Sequence, residues 1–294
     1  MKKSADHFQR IGLVGNAGKS ACAASVRTAA QLIQRTGRKI VCDEITAQLT
    51  KLKCPTAPNA AALAREVDLI LVFGGDGTML HTARQIAGSK TPMLGVNIGS
   101  LGFLTAVPSD KLADALKLVW AGEFKFESRA LIEATGVCHG KKLTATALND
   151  IVVTRGAVSR LIALDVTVNG DLVTRYRCDG LIVSSPTGST AYSLAAGGAV
   201  VLPTAEVFAL TPICPHALSN RSIILPLSAT VRVKAINTMP PAFLNADGQI
   251  VGELAANDEI TIRRSRHSVR LLRLANSSFL EALRRKLHWR GTYL

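Results

Sequence analysis

Aromatic residues are scarce in this sequence. They make up 4% of its 294 residues, whereas hydrophobic residues as a class make up 48%. The core must therefore be built from aliphatic side chains. Long apolar runs are missing as well, because glycines, prolines and one glutamate interrupt the longest weakly charged stretch, residues 194–214. A helix that spans a membrane needs about 20 consecutive apolar residues, so a membrane span is not expected.

Cysteines at metal-binding spacing are also missing. None of the six forms a C-x-x-C pair, and their spacing resembles no zinc site. They are Cys22, Cys42, Cys54, Cys138, Cys178 and Cys214. No secretory signal opens the chain, because charged Lys2, Lys3 and Asp6 lead directly into a strand-like run. Inert thiols in a reducing compartment are expected, and the protein is predicted to be cytoplasmic.

Acidic residues are fewer than basic ones. Lys and Arg number 35 against 21 Asp and Glu, which gives a net charge of +14. The basic residues are scattered, apart from clusters at residues 263–266 and 284–286. Proteins that bind nucleic acid usually gather basic residues on one element with aromatics between them. The charge pattern therefore predicts no nucleic-acid partner and favours the steering of small phosphorylated ligands.

Strand and helix patterns alternate over the first 120 residues. Strand-like apolar runs are Ile11–Val14, Lys39–Cys42, Asp68–Phe73 and Pro92–Asn97. Helical spacing marks Ser20–Arg35, Asn59–Arg65, Thr78–Ile86 and Ser109–Trp120, with Asn59 and Ser109 as predicted N-caps. Continuous apolar runs suit parallel strands that are covered on both faces. The alternation predicts a doubly wound α/β domain over residues 1–124.

The pattern changes after Gly122 to short β-rich runs. An Asn169-Gly170 pair between two of them indicates a hairpin. The runs are Arg129–Gly136, Leu143–Thr154, Leu161–Val168, Leu172–Arg177, Leu181–Val183, Ser222–Leu225, Thr230–Ala235, Glu259–Arg264 and Val269–Leu274. They predict a mainly antiparallel, β-sandwich-like domain over residues 125–274. The remaining segment, residues 275–294, contains an amphipathic helix predicted over Ser278–His288.

The sharpest motif is Gly74-Gly75-Asp76-Gly77-Thr78, which follows a buried strand and precedes a helix. Ligands of open α/β sheets bind at this edge. Glycines let backbone N–H groups approach an anion closely, and the start of the helix adds a positive dipole end. An aspartate would repel phosphate, so Asp76 makes sense as a base aimed at a hydroxyl or as a ligand of Mg²⁺. A plain Asp-Gly turn is the structural alternative.

Three further segments carry groups that suit a nucleotide. Ser185–Tyr192 is rich in hydroxyls that can hold a ribose, an amide or a phosphate, and Tyr192 offers a flat face to a heterocycle. A surface turn with helix-capping Ser and Thr is the structural alternative. Asn149-Asp150 can bind adenine edges and ribose hydroxyls, although such a dipeptide is more often a turn. Asn97–Leu104 contains two glycines and is predicted to be a hinge beside a cleft, where the two halves meet.

One loop only looks like a nucleotide motif. In Gly12–Ser20, five residues separate Gly12 from the Gly18-Lys19 pair, whereas the Walker pattern requires four. The dinucleotide fingerprint also fails, because two residues separate Gly12 from Gly15. The loop follows the first strand, so it can still lie near phosphates.

Taken together, these segments resemble the NAD kinase family of the bacterial type, over about residues 11–290. The matching motifs occur in the family's order, and the long one that ends in T-G-S-T-A-Y is far more specific than G-G-D-G-T, which lipid kinases share. They are Gly74–Thr78, Asn97–Leu104, Asn149-Asp150, Asp179–Gly198, Pro212–Pro226 and Asp247-Gly248-Gln249. Ser185 replaces the family's usual threonine before Pro186 and keeps the hydroxyl.

The resemblance implies an enzyme that phosphorylates the adenosine 2′-hydroxyl of NAD with ATP and Mg²⁺. It implies an α/β domain, a β-rich domain and a last segment that returns to the first domain, in a homodimer or homotetramer. Asp76 would be the general base, and no protein ligand of the metal is assigned. Nucleotide contacts would fall on Gly74, Gly75, Gly77, Thr78, His81, Asn149, Asp150, Arg160, Arg177, Asp179, Thr190, Ala191, Tyr192, Ser193, Ala195 and Gln249. Arg177, two residues before Asp179, resembles members that use NAD rather than NADH.

Two other functions remain open at this point. A lipid kinase of the diacylglycerol type shares G-G-D-G-T, but it would need an apolar acceptor pocket and no Thr-Ala-Tyr loop. A non-catalytic sensor of NAD or its phosphate would keep the binding loops and would have no need of Asp76. Binding of NAD without formation of NADP in the presence of ATP and Mg²⁺ would favour the sensor.

Overall fold

A computed structural model describes residues 8–99, 102–138, 140–156, 160–237 and 241–289. The chain forms two compact units, one of Met1–Ser128 with Val269–Leu294 and one of Arg129–Ser268. It passes from the first unit to the second within the strand Phe124–Cys138 and returns within the strand Glu259–Leu274. Among the described residues, no helix is long and apolar enough to cross a bilayer.

The first unit, which we call the α/β unit, alternates strands and helices. Its strands are β1 (Arg10–Gly15), β2 (Lys39–Asp43), β3 (Thr56–Ala57), β4 (Leu69–Gly74), β5 (Met93–Asn97) and β6 (Val107–Pro108). Its first five helices are α1 (Ser20–Gln34), α2 (Glu44–Thr50), α3 (Ala60–Glu66), α4 (Asp76–Gln85) and α5 (Leu112–Trp120). The strands pair in parallel in the order β5-β4-β1-β2-β3. The order reverses between β1 and β4, which is where ligands of doubly wound sheets bind.

The aliphatic core predicted from the composition lies on both sides of this sheet. Every residue of β4 is buried, in agreement with its continuous apolar run. Side chains of β1, β4 and β5 pack with α1 and α5 in one apolar cluster that includes Leu13, Val26, Leu71, Val96 and Val119. The cluster holds the carboxyl ends of β1, β4 and β5 at one edge of the sheet.

Local signals place most element boundaries within two residues. Asn59 caps α3 as predicted, because its side chain accepts a hydrogen bond from the Ala62 N–H at 2.9 Å. The predicted cap at Ser109 is wrong. Ser109 lies inside a 3₁₀ turn, Ser109–Lys111, that precedes α5, and no side chain caps either helix. Helix α4 begins at Asp76 rather than near Thr78, so the aspartate lies in its first turn.

The second unit, which we call the β unit, contains two antiparallel sheets. Its strands are β7 (Phe124–Cys138), β8 (Lys141–Ala147), β9 (Asp150–Thr154), β10 (Ile162–Val168), β11 (Asp171–Cys178), β12 (Gly180–Ser184), β13 (Val207–Ile213), β14 (Ile223–Pro226), β15 (Val231–Asn237), β16 (Ala242–Ala246), β17 (Gln249–Leu254) and β18 (Glu259–Leu274). A 3₁₀ turn, Thr187–Thr190, and a short helix α6 (Tyr192–Ala195) follow β12. One sheet has the order β14-β13-β12-β9-β16-β17, and in the other β10 pairs with β11 and β15, which pairs with β18.

The β unit matches the predicted sandwich-like class. Residues Val153, Val183 and Leu244 of the first sheet pack with Leu164 and Val233 of the second in one apolar cluster. The hairpin at Asn169-Gly170 has positive φ at both residues, 53° and 99°, as its turn type requires. The predicted runs at 259–264 and 269–274 form one long strand, β18. The fold class, an α/β part and an all-β part, is confirmed.

The last helix, α7 (Phe279–Lys286), belongs to the α/β unit by its contacts. The Ser278 hydroxyl accepts a hydrogen bond from the Glu281 N–H at 3.4 Å and caps the helix. Leu283 is buried, and the Phe279 ring lies 6.0 Å from the ring of Phe103, centre to centre. Residues 290–294, the end of the predicted returning segment, lie outside the described residues.

Candidate functional site

Three loops emerge from neighbouring strand ends of the α/β unit. Strands β1, β4 and β5 end in register, with Gly15 beside Phe73 and Gly74 beside Asn97. The loops are therefore Asn16–Lys19, the Gly74–Thr78 motif and the segment that begins with Ile98. All three leave the sheet where its strand order reverses, so the predicted ligand edge carries the predicted glycine motif.

The glycines of this motif leave room for the backbone and for Thr78. A side chain on Gly74 would overlap the Thr78 hydroxyl. That hydroxyl accepts a hydrogen bond from Asn16 Nδ2 at 3.0 Å. Gly75 is the N-cap of α4 and offers no capping side chain, so the positive end of the helix dipole meets the loop. Gly77 is exposed and has open space around it.

Asp76 is held by a nest of backbone N–H groups. Its Oδ2 accepts from Phe103 N at 2.8 Å, and its Oδ1 accepts from Leu104 N at 3.1 Å and Thr105 N at 3.2 Å. The Thr105 hydroxyl adds a fourth hydrogen bond to Oδ1 at 3.3 Å. A carboxylate has about four acceptor positions, two on each oxygen. One position on Oδ2 therefore remains for a further donor.

Gly102 explains why the nest can close. A side chain there would overlap Asp76 Oδ1 and the Thr105 hydroxyl. The sequence had suggested a hinge in Asn97–Leu104, and this hinge stays a prediction because Ser100 and Leu101 lie outside the described residues. The described end of the segment has a different role, because its Phe103 and Leu104 N–H groups donate to the Asp76 carboxylate, and Gly102 leaves room for them.

Buried polar groups support the nest from behind. Asn97 Nδ2 donates to the Thr105 hydroxyl at 2.8 Å, and Arg273 Nη2 donates to the Phe103 carbonyl at 2.9 Å. Arg273 Nε also lies 3.4 Å from Glu127 Oε2. Burial lowers the pKa of Arg273, and the charges of Glu127 and Asp76 oppose that shift. The nest is therefore fixed by strand β5, strand β18 and, through the Phe103 ring, helix α7.

His81 does not belong to the nest. It lies on the exposed side of α4, and its Nε2 is 2.8 Å from Gln85 Nε2 on the next turn of the same helix. Burial raises the pKa of the Asp43 carboxyl, and the charge of His81 offsets part of that rise. The resemblance-based assignment of His81 as a nucleotide contact thus has no support from neighbouring site residues.

A second cluster lies at one end of the first sheet of the β unit. Asp150 begins β9 and pairs with Ser184, where β12 ends, while β16 ends at Ala246 beside Ile151. Asn149-Asp150, the Ser185–Tyr192 loop and the Asp247–Gln249 turn therefore meet at this end. The structure brings together three motifs that are up to 100 residues apart in sequence.

Asp247 organises this cluster, although the Asp247-Gly248-Gln249 motif is weak in the sequence when taken alone. Its carboxylate accepts from Leu148 N at 3.0 Å, Asn149 N at 2.7 Å and Asp150 N at 3.4 Å. Its own N–H donates to the Asp150 carbonyl at 3.0 Å. Gln249 follows on the exposed start of β17. The carboxylate thus fixes the backbone that carries Asn149 and Asp150.

The Ser185–Tyr192 loop contacts the same backbone from the other side. The Ser185 hydroxyl donates to the Leu148 carbonyl at 2.5 Å and accepts from Thr187 N at 3.1 Å. A side chain on Gly188 would overlap the Asn149 backbone. Ser185 and Ser189 are fully buried, so most hydroxyls of this loop are structural. These buried hydroxyls therefore follow the structural alternative and not the ligand-binding interpretation of the motif.

The later part of this loop is more open. Tyr192 and Ala195 are exposed, and Thr190 and Ala191 are half-buried. Ser193 is buried instead, and its hydroxyl lies 3.1 Å from the Thr211 hydroxyl. Thr190, Ala191, Tyr192 and Ala195 are therefore accessible to a ligand, whereas Ser193 supports the loop.

Asp150 is buried, with 4% of its surface exposed. Burial raises the pKa of its carboxyl to about 7, and the negative charge of Asp247 adds to the shift. At neutral pH a substantial fraction of Asp150 is therefore protonated and able to donate a hydrogen bond as well as accept one.

The remaining predicted residues lie at the opposite end of the same strands. Asp179 precedes β12 and forms an ion pair with Arg155, whose Nε lies 2.7 Å from Asp179 Oδ1. Asp179 raises the pKa of Arg155 through this hydrogen bond. Arg160 and Arg177 are exposed near this end of β10 and β11. The structure does not bring Asp179, Arg160 and Arg177 together with Asn149 and Asp150.

Two residues that support the candidate site were missed because their partners are far away in sequence. Asp247 reaches backbone groups 97 to 99 residues away, and Arg155 pairs with an aspartate 24 residues away. The Asp-Gly turn at 247 was the only local signal. Arg155 would have emerged only from the pairing of Thr154 with Gly180, which places it beside Asp179.

No ready-made metal cage is present in the part of the chain that the structure describes. There, no group of three or more His, Cys, Asp and Glu side chains is placed to hold an ion. Such a site is not required for Mg²⁺ that enters with a nucleotide, because this ion usually keeps several waters and binds through phosphates and one or two carboxylates. Asp76 is the carboxylate of the glycine loop, and no protein ligand of the metal is assigned.

Comparisons with known proteins identify the family to which the chain belongs. The chain matches the model of the ATP-NAD kinase N-terminal domain over residues 11–124 and that of the C-terminal domain over residues 148–274. It is 42% identical to the NAD kinase of Desulforamulus reducens over 279 residues, which is 94% of this chain and 96% of that protein. Identity to the NAD kinase of Cupriavidus pinatubonensis is 39% over 283 residues, with 96% and 92% covered.

Two solved structures are also similar. A crystal structure of yeast NADH kinase complexed with NADH has a TM-score of 0.87 at 25% identity and covers 98% of this chain and 89% of its own. An NAD kinase from Archaeoglobus fulgidus in complex with ATP has a TM-score of 0.76 at 25% identity, with 96% and 100% covered. The lipid-kinase and sensor alternatives find no support in these matches. The chain belongs to the NAD kinase family.

Proposed function

We propose that this protein transfers the γ-phosphoryl group of ATP to the adenosine 2′-hydroxyl of NAD and so forms NADP. The observation that carries the proposal is the carboxylate of Asp76, fixed at the ligand edge of the α/β unit by three backbone N–H groups. Asp76 differs from a plain Asp-Gly turn because it follows Gly74 and Gly75 in the first turn of α4. A regulatory sensor would not need an aspartate among glycines that otherwise suit phosphate.

Asp76 has the chemistry to orient a hydroxyl. Its Oδ2 accepts one hydrogen bond, from Phe103, which leaves a position for the ribose 2′-hydroxyl. As the hydroxyl oxygen attacks the γ-phosphorus, its proton moves to this oxygen. Transition states of phosphoryl transfer are loose, so the position of the acceptor counts for more than its strength as a base. The nest supplies that position.

The glycine loop has the chemistry to hold the phosphates. Gly75 and Gly77 have no side chains, so a phosphate can approach their N–H groups at the start of α4. Gly74 and Thr78 shape the turn. We propose Mg²⁺ as the ion that accompanies ATP, and when bound it offsets the phosphate charge. No protein ligand of the ion is proposed, because the free acceptor position of Asp76 is proposed for the ribose hydroxyl.

We propose the accessible residues of the β unit as dinucleotide contacts. Asn149, Asp150, Thr190, Ala191, Tyr192, Ala195 and Gln249 belong to the first end of the sheet, and Ser193 supports them. Asp179, Arg160 and Arg177 belong to the opposite end, where their charges are suited to ribose and phosphate groups. Arg177 is proposed to favour NAD over NADH, and His81 is retained from the family resemblance alone.

A homodimer or homotetramer is proposed for two reasons. The two groups of dinucleotide contacts lie at opposite ends of β9 and β12, which one ligand reaches more easily when two copies supply them. The edge strand β17 also exposes Ile250, at 65% of its surface, and exposed strand edges favour association. Light scattering of the purified protein tests this. We propose a cytoplasmic location, which suits the free cysteines of the described chain.

The proposal is tested by incubating the purified protein with NAD, ATP and Mg²⁺ and reporting NADP with a strictly NADP-dependent dehydrogenase. We expect NADP to form, and to form faster than NADPH forms from NADH. Binding of NAD in calorimetry with no NADP formed would contradict the proposal and favour a sensor. Phosphorylation of diacylglycerol in place of NAD would favour a lipid kinase. An Arg177→His variant that still strongly prefers NAD would remove Arg177 from the choice of substrate.

A further inference from the structure

The loop after β1 fails as a nucleotide motif by its spacing, yet the structure places its lysine on the glycine loop. Lys19 Nζ donates a hydrogen bond to the Ile98 carbonyl at 2.7 Å. Ile98 directly follows β5, and its N–H bonds to the Gly74 carbonyl at 2.9 Å. The ammonium group therefore lies at the strand ends where the Gly74–Thr78 motif begins.

Two glycines border the Lys19 ammonium. A Cβ atom on Gly75 would lie 3.6 Å from Nζ, and one on Gly99 would lie 3.7 Å from it. Gly99 has a φ of 120°, which a residue with a side chain rarely adopts. The backbone next to the ammonium is thus free of side chains on both sides. An anion that lies on the Gly75 backbone would be within reach of Nζ.

The loop that carries Lys19 is tied to the glycine motif. The Asn16 side chain accepts from Gly18 N at 2.8 Å and donates to the Thr78 hydroxyl at 3.0 Å. The Asn16 N–H donates to the Phe73 carbonyl at 3.0 Å. The loop is therefore held to the glycine motif through Asn16, and the Lys19 side chain is held by its hydrogen bond to Ile98.

Lys19 has binding capacity left over. An ammonium has three N–H donors, and within the described chain Lys19 Nζ uses one of them, on Ile98. No carboxylate of the described residues forms an ion pair with it. Its half-buried position keeps the charge close to the glycine backbone. A fixed cation with two free donors beside backbone N–H groups is suited to phosphate oxygens.

We propose that Lys19 binds the phosphates of the donor triphosphate on the glycine loop, which adds a residue to the proposed function and rests on it. The pyrophosphate of NAD has the same chemistry and is the other source of phosphate. The donor is favoured because Lys19 faces Gly75, on the side of α4 where the loop begins. The charge of Lys19 would hold the triphosphate while Asp76 orients the hydroxyl.

The test compares Lys19→Met with Lys19→Arg, which keeps the charge, and with Lys90→Met, an exposed lysine elsewhere in the α/β unit. A hydrogen bond to a charged group contributes about 1.5–3 kcal/mol, so Lys19→Met should raise the KM for ATP about tenfold or more. The KM for NAD should stay within about twofold, and Lys19→Arg should recover most of the loss. Lys90→Met should behave like the wild type.

Calorimetry with Mg²⁺ and ATP, or with inorganic triphosphate, provides a readout that does not need turnover. Weaker binding by Lys19→Met at unchanged thermal stability would support the proposal. A rise in the KM for NAD alone would assign Lys19 to the dinucleotide and overturn the donor assignment. Unchanged binding of both nucleotides would overturn the proposal entirely. If the wild type formed no NADP but Lys19→Met still bound triphosphate less tightly, the proposed function would fail and the phosphate site would stand.

Discussion

Two carboxylates, one in each unit, are held in the same way. Asp76 of the α/β unit accepts from the consecutive N–H groups of residues 103–105, and Asp247 of the β unit accepts from those of residues 148–150. Each nest joins segments that are distant in sequence. The shared geometry shows that a backbone nest by itself does not identify a catalytic group.

The surroundings of the two carboxylates separate their roles. Asp76 follows Gly74 and Gly75 at the start of α4, and one acceptor position of its Oδ2 faces no described donor. Asp247 lies in a left-handed turn, with φ of 49°, beside the buried Asp150. The Asp76 carboxylate therefore keeps an acceptor position for a ligand, whereas the Asp247 carboxylate holds another segment in place.

The largest effect is expected from Asp76→Asn. The amide keeps the size of the side chain but cannot take up the hydroxyl proton, so kcat should fall at least about a hundredfold. NAD binding should change little, and the free energy of unfolding should fall by about 1–3 kcal/mol, because an amide N–H then faces a backbone N–H of the nest. Asp114→Asn, on the exposed face of α5, serves as the matched control. Near-normal turnover by Asp76→Asn would show that the first nest, like the second, is only structural.

Asp247→Asn should give the opposite kinetic profile, with a similar loss of stability. The amide N–H groups of the variant would face backbone N–H groups of residues 148–150. A buried N–H group that loses its acceptor destabilises the fold by about 1–3 kcal/mol. The free energy of unfolding in urea should fall by that amount, and the KM for NAD should rise because Asn149 and Asp150 lose their support. At saturating NAD, kcat should remain near the wild-type value. A hundredfold loss of kcat at full stability would place Asp247 in the chemistry instead.

The pH dependence of stability sharpens the same contrast. The folded pKa of Asp150, about 7, lies above the ordinary value of 3.8, so the folded state binds its proton more tightly. Stability from this group is complete below pH 4 and declines up to about pH 7, by roughly 2 kcal/mol between pH 5 and pH 7. Urea titrations of the wild type and Asp150→Asn at both pH values measure it. An equal pH dependence in both proteins would contradict the assignment.

A smaller effect is expected from Gly102→Ala. The added methyl group would push residues 102–105 away from Asp76, whose Oδ1 occupies its space. A shift of about 1 Å near a reacting group can cost up to a hundredfold in rate, and partial relaxation should limit the loss here to about tenfold. Gly140→Ala, in the β unit, has open space but a φ of 73°, so it adds backbone strain without a contact to Asp76 and controls for the change of residue type. Full activity of Gly102→Ala would mean that the nest does not position Asp76.

Local patterns were enough to predict most of the fold. The continuous run of β4, the cap at Asn59 and the Asn169-Gly170 turn each depend on residues a few positions apart, and the structure agrees with all three. Strands β3, β6, β13, β16 and β17 and helices α2 and α6 were not predicted. Their sequences are short, and packing against neighbouring strands stabilises them more than their own periodicity does.

The candidate site was predictable only in part, for a similar reason. The Gly74–Thr78 motif could be located because its glycines and its aspartate are adjacent. The nest around Asp76, the support from Asp247 and the position of Lys19 depend on contacts between segments 27 to 99 residues apart. The spacing of glycines along the chain excludes a Walker motif in the Lys19 loop, whereas the strand order of the sheet brings this loop to the glycine motif.

The central claim is most directly tested by a structure of the protein with NAD and a non-hydrolysable ATP analogue bound. The account predicts that Asp76 Oδ2 lies about 2.6–3.2 Å from the adenosine 2′-oxygen while residues 103–105 still donate to the carboxylate. An Asp76 side chain that faces away from every ribose oxygen and from any bound metal would contradict it.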